Sequence, residues 1–185
     1  MKDMSGMAPE FSRRVPLADF EKRNLHAEWT ATRSECEALA RRFGIVAVHA
    51  LRATADIAPL GGDGALARIA FEAEVEQQSV VSLENVRQPV KVAVTVRYLT
   101  EKRAREYEHM VEEEGFEPPN EDIEVINGES IDIGETIAQQ LSLALDPYPR
   151  RAGETFEAVG ISSDDDDRAD RPNPFEVLKN FKQNS

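Results

Sequence analysis

Cysteine is almost absent from this sequence: Cys36 is the only one in 185 residues. No intramolecular disulfide can form, and none is needed, because a domain of this length can bury roughly 70% of its extended-chain surface in one core. Histidine is nearly as scarce. His26, His49 and His109 are scattered, so the several Cys or His ligands that a structural zinc site requires are missing. No apolar run approaches the roughly 20 residues of a membrane-spanning helix, and the first ten residues hold no apolar segment of the secretory type. The signatures of catalysis are missing as well. There is no Gly-x-Ser-x-Gly elbow, and Gly61-Gly62-Asp63-Gly64 lacks the Lys-Ser/Thr ending of a phosphate-binding loop. These absences predict a cytoplasmic, soluble protein that is not an enzyme and takes no metal or cofactor.

Positive charge is also in deficit, with a formal net charge of −13. The deficit is local. Residues 1–100 sum to zero, whereas residues 101–135 carry thirteen acids against three bases. Nucleic-acid affinity comes from Lys and Arg that displace counterions, so this balance disfavours an extended phosphate contact and suits a basic protein partner. Glu112, Glu113, Glu114, Glu117 and Glu121 are the candidate contact residues of the acidic sector. A solvated face is the plainer use of such a run.

What is present is strong local patterning. Thr32 precedes Glu35 by three residues, the reciprocal spacing of a capping box, and Cys36, Leu39, Ala40 and Phe43 follow at helical spacing up to Gly44. The runs 45–57 and 66–77 alternate apolar and polar residues around the turn cluster Pro59 to Gly64, which predicts a long antiparallel hairpin. Residues 90–98 add another alternating strand, and 11–17 and 25–31 are weaker strand candidates. Residues 101–114 form a charged helix. Segments 122–127 and 130–133 flank Asn127-Gly128, a hairpin-turn dipeptide. Asp132 can cap a helix whose apolar stripe is Ile137, Leu141, Ala144 and Leu145, broadened by Leu143 and ended by Pro147. Beyond an acidic tether at 162–172, Asn173-Pro174 opens a short helix with Phe175, Leu178 and Phe181 along one side. Such a helix is too short to stand alone in water, so it must dock on its own domain or in a partner's groove.

Three segments carry a resemblance. Gln77-Gln78-Ser79-Val80-Val81-Ser82-Leu83-Glu84, the stretch from Asp132-Ile133-Gly134-Glu135 through Leu143 to Arg150, and Asn173-Pro174-Phe175-Glu176-Val177-Leu178-Lys179 together resemble the YceD family. The resemblance covers about residues 10–182 and is most specific over 131–150. It departs from the family pattern at Ser79, Ser82 and Asn85, which stand where that pattern has Cys, Thr and Pro. The resemblance implies involvement in making, processing or preserving large-subunit ribosomal RNA, without an assigned reaction.

The expected organisation is a flexible stretch 1–10, one α+β domain over 11–161, the tether 162–172 and a tail helix 173–185. The domain is expected to be an antiparallel sheet that could curl toward a barrel, covered by the helices near Thr32 and Asp132, with an acidic excursion. The leading functional expectation is a non-enzymatic ribosome-biogenesis factor that contacts a basic ribosomal or assembly protein. The alternative is direct binding of structured RNA through Arg13, Arg14, Arg41, Arg42, Arg150 and Arg151, should folding gather them. A hydrolase or nuclease ranks last. Tyr148, Arg150 and Arg151 are contact candidates in the motif region; Tyr148 and Arg150 have a rival role in packing and capping.

Overall fold

A computed structural model of the chain describes residues 10–20, 23–61, 64–113, 121–126 and 128–154. The chain forms two compact units, residues 1–150 and 151–185. All the elements named below belong to the first. In the second, residues 151–154 make a turn closed by the Glu154 amide on the Arg151 carbonyl, and the Arg151 amide donates to the Glu154 carboxylate.

The elements run β1 (Arg14–Pro16), α1 (Leu17–Phe20), β2 (Leu25–Thr30), α2 (Arg33–Phe43), β3 (Ala47–Pro59), β4 (Ala65–Gln78), β5 (Asn85–Leu99), α3 (Glu101–Glu113), β6 (Asp122–Val125), β7 (Ser130–Asp132) and α4 (Ile133–Ala144). α2 forms as its sequence dictates. The Glu35 amide donates to the Thr32 hydroxyl, the Glu35 carboxylate accepts from the Thr32 amide, and Gly44 ends the helix at φ 66°.

β2 to β6 make one sheet in the order β2-β3-β4-β5-β6, and β1 and β7 pair separately. The long hairpin is real: Leu51 pairs with Ala73, Ala53 with Phe71 and Ala55 with Ile69. Its alternation puts Leu51, Ala53, Ala55, Ile69, Phe71 and Val75 on the buried face, where they join Leu39 of α2 and Ile137 and Leu141 of α4 in one core. Each fully buried Leu, Ile or Phe contributes roughly 1.5–3 kcal/mol, so this face holds the domain together. The opposite face is wet and laced by cross-strand ion pairs, Lys91 to Glu72 and Arg87 to Glu74.

Four expectations change. The sheet does not close into a barrel; β2 and β6 are its two edges. Nor is it wholly antiparallel, because β6 lies parallel to β5, with Arg97 opposite Ile123 and Leu99 opposite Val125. The segments around Asn127-Gly128 therefore do not form a hairpin with each other. β6 joins the main sheet while β7 pairs with β1. α3 makes this possible by supplying the long crossover that a parallel neighbour requires. Finally, Leu143 and Ala144 are exposed, and the buried side of α4 is instead Ile133, Thr136, Ile137, Ala138 and Leu141.

Candidate functional site

The start of α4 shows why Asp132-Ile133-Gly134-Glu135 has the residues it has. Asp132 accepts from the amides of Gly134 and Glu135, capping its own helix, and also from the Arg13 amide at 2.8 Å and the Ser12 hydroxyl. One carboxylate thus holds two chain segments. A Cβ on Gly134 would lie 2.6 Å from the Arg13 nitrogen and 2.6 Å from the Phe11 oxygen, so only glycine lets the N-terminal segment cross here. Glu135 receives a bidentate ion pair from Arg42 of α2, which holds its carboxyl below the usual range. This half of the motif builds the fold.

At the other end of α4 the motif turns outward. The loop from Ser79 to Glu84 joins β4 to β5, and its Ser79 hydroxyl, fully buried, accepts from the amides of Val81 and Ser82 at 3.1 and 3.2 Å. The Leu83 amide donates to the Ser79 carbonyl, and the Gln78 side chain donates to the Leu83 carbonyl. Leu83 closes this turn at φ 62°, the one non-glycine residue with positive φ among the described residues. A left-handed leucine is costly, by about 1–2 kcal/mol. Its side chain gains nothing in return from burial, since it is 68% exposed.

The segment after α4 is fastened to this loop. The buried Gln77 side chain donates to the Asp146 carbonyl at 2.9 Å and accepts from the Gln88 side chain at 2.7 Å. The Val80 amide donates to the Pro149 carbonyl at 2.9 Å. Pro147 and Pro149 fix φ on either side of Tyr148, whose amide donates to the Asp146 carboxylate at 2.9 Å. The result is a rigid end of the molecule that displays apolar side chains: Leu143 is 79% exposed and Tyr148 71%, with Val80 and Val46 also in water. Apolar groups held on hydrogen-bonded loops can contact a partner without being ordered at the moment of binding.

Both segments fall inside a match to a family model described as large ribosomal RNA subunit accumulation protein YceD, which covers residues 67–182. That is more than half of the 185 residues. The chain belongs to the YceD family. The match starts within β4 rather than near residue 10, so β1 to β3 lie outside it. No curated protein and no solved structure matches the chain significantly. The YceD description names an accumulation role of large-subunit ribosomal RNA and no reaction. No helix among the described residues is long and apolar enough to cross a membrane.

With the YceD motifs in place, the candidate residues fall into separate groups. Tyr148 and Arg150 lie on the displayed end, both exposed, which removes packing as a role for the Tyr148 ring. Arg151 is exposed in the second unit. Glu121 is engaged, paired with Arg97 at 2.6 Å and largely shielded. Glu112 and Glu113 close α3. Glu114, Glu117, Phe175, Leu178 and Phe181 lie outside the described residues. Leu83, Val80 and Val46 were not expected as surface residues. The first two sit in a recognised motif, but nothing in a leucine's chemistry announces a left-handed backbone.

Two of the arginines proposed for RNA already face carboxylates. Arg13 makes a bidentate pair with Glu35, which holds that carboxyl down at about 2, and Arg42 is taken by Glu135 and Glu10. A depression of about 780 Å³ is an open trough on the wet face of the sheet bordered by Glu28, Arg52, Glu72 and Lys91. Its carboxylates stand mostly in water, Glu72 paired with Lys91. Cys36 is buried, where desolvation pushes its thiol up and away from reactivity.

Proposed function

We propose that this YceD-family chain is a non-enzymatic ribosome-biogenesis factor that works in the cytoplasm, supporting synthesis, processing or stability of large-subunit ribosomal RNA. It acts by contact with a basic ribosomal protein or assembly factor, and it reaches RNA through that partner. The observation that carries the reading is the stapled end, where Leu83 is held in a costly conformation with its side chain in water, on a loop whose Val80 amide is tied to the Pro149 carbonyl next to the exposed Tyr148. Strain that persists at an exposed apolar residue is a reason to look for a binding role. The acidic sector strengthens the attraction of a basic partner, which weakens with salt because exposed charges are screened within about 10 Å at 0.1 M.

Direct RNA binding is the second reading, and it loses support from Arg13 and Arg42, whose guanidinium groups already face carboxylates. The test is crosslinking in cells carrying Leu83→Asp with Tyr148→Ala, followed by identification of protein and RNA partners. Loss of one protein crosslink together with a fall in large-subunit ribosomal RNA is expected. Unchanged protein crosslinks with loss of an RNA crosslink would transfer the role to direct RNA binding.

A further inference from the structure

A second apolar surface lies at the opposite end of β5, where β6 forms the edge of the sheet. Ile123 and Val125 are 38% and 42% exposed on the face covered by α3, and Met110 of α3 is 41% exposed there. Their strand partners are covered: Leu99 is buried beneath α3, and Arg97 stacks over the Tyr107 ring at 5.7 Å while pairing with Glu121. β6 has β5 on one side and, among the described residues, no strand on the other. The Ile126 amide donates to the Leu99 carbonyl. Alternation along a strand then directs the backbone groups of Asp122 and Glu124 toward β5 and those of Ile123 and Val125 toward the open side. Sheet edges of this kind accept an added strand.

The surroundings select what that strand must be. β6 alternates Asp122 and Glu124 on one face with Ile123 and Val125 on the other. Glu121 and Glu129 flank it, and residues 106–149 contain no Lys or Arg at all. Glu124 is held by the Thr136 hydroxyl at 2.9 Å, and Asp122 by the Gln140 side chain at 2.7 Å. Neither has a cationic partner among the described residues. We infer that the edge of β6 away from β5 takes, by strand addition, an extended protein segment in which apolar and basic residues alternate. The apolar side chains meet Ile123, Val125 and Met110, and the basic ones meet Asp122 and Glu124. The inference rests on the reading that the partner is a basic protein, and it gives that partner a second, chemically distinct contact.

The probe is a labelled synthetic peptide of alternating valine and lysine added to the full chain. Binding is followed by fluorescence anisotropy, and the site by amide exchange. Slowed exchange at Ile123 and Val125 is expected, with affinity falling as salt rises. Val125→Pro removes an amide that β5 does not use, and Ile123→Lys with Val125→Lys removes the apolar contact and opposes the charge. Each should weaken binding at least tenfold with the melting temperature held. Equal binding by both variants, absence of binding to the parent chain, or equal binding of a valine-glutamate peptide would overturn the proposal. Leu83→Asp should leave peptide binding intact. Failure of the peptide with a normal Leu83 effect on RNA accumulation therefore condemns this edge alone, and the converse condemns the stapled end alone.

Discussion

The two ends of the sheet expose apolar side chains for different physical reasons. At the stapled end, Val80, Leu83 and Tyr148 sit on loops whose amides and carbonyls are tied to Pro149, Ser79 and Asp146, so display is a property of backbone already fixed. At the β6 end, Ile123 and Val125 lie on a strand that has no neighbour beyond it among the described residues, with Glu121, Asp122, Glu124 and Glu129 around it. α4 joins the two ends. Its Thr136 reaches Glu124 near β6, and the segment beyond its last turn reaches Gln77 in the stapled loop.

The severest way to break the comparison is to disturb α4 itself. Gly134→Ala forces a Cβ into backbone 2.6 Å away and should cost about 3 kcal/mol, read as a lower urea midpoint by Trp29 fluorescence. Both ends should then loosen together; if only one shows faster amide exchange, α4 is not their common support. Next comes the staple. Gln77→Ala orphans the Asp146 carbonyl and the Gln88 side chain, for a loss of about 1–3 kcal/mol, and should speed exchange of the Val80 amide while leaving Ile123 and Val125 unchanged.

These two effects also mark how far the sequence could be read. The capping box of α2 and the alternation of β3, β4 and β5 are local signals that tertiary packing reinforces, so the hairpin and its buried face were legible. Asn127-Gly128 is equally local, but the pairing around it was decided by α3 carrying the chain across to β5 and by β1 waiting for β7. Leu143 continues an apolar pattern on paper, whereas in space its side of α4 faces away from the core. The motif 131–150 was visible as a unit, yet its division into a structural half at Asp132 and Gly134 and a displayed half at Tyr148 required the contacts with Ser12, Arg13 and Gln77.

Two smaller effects sharpen the contrast. Leu83→Gly should stabilise the chain by about 0.5–1 kcal/mol, because glycine adopts the left-handed conformation without strain, while partner capture falls. A variant that melts lower, or that captures its partner normally, would remove strain and side chain respectively from the account of this end. The smallest effect concerns Glu124, whose carboxyl is raised mainly by burial, with Asp122, Glu135 and Asp132 adding to the rise. A raised folded pKa means that the stability Glu124 contributes is complete below the ordinary carboxylate range and is lost as pH rises through the folded value. Glu124→Gln should therefore melt above the parent at about pH 8, with the gap closing by about pH 4. A gap independent of pH would show that folding leaves the ionisation of Glu124 unchanged.

The pairing of β1 with β7 also has a consequence in time. Arg13 and Asp132 are 119 residues apart in the chain, so during synthesis the first strand emerges long before the carboxylate and strand that receive it. At roughly 5–20 residues per second, that interval is on the order of ten seconds. α2 and the β3–β4 hairpin, whose contacts are closer in sequence, can form while the N-terminal segment is still unclaimed. Closure of the domain is then a late event, and α4 is fully capped only when the beginning of the chain returns to it.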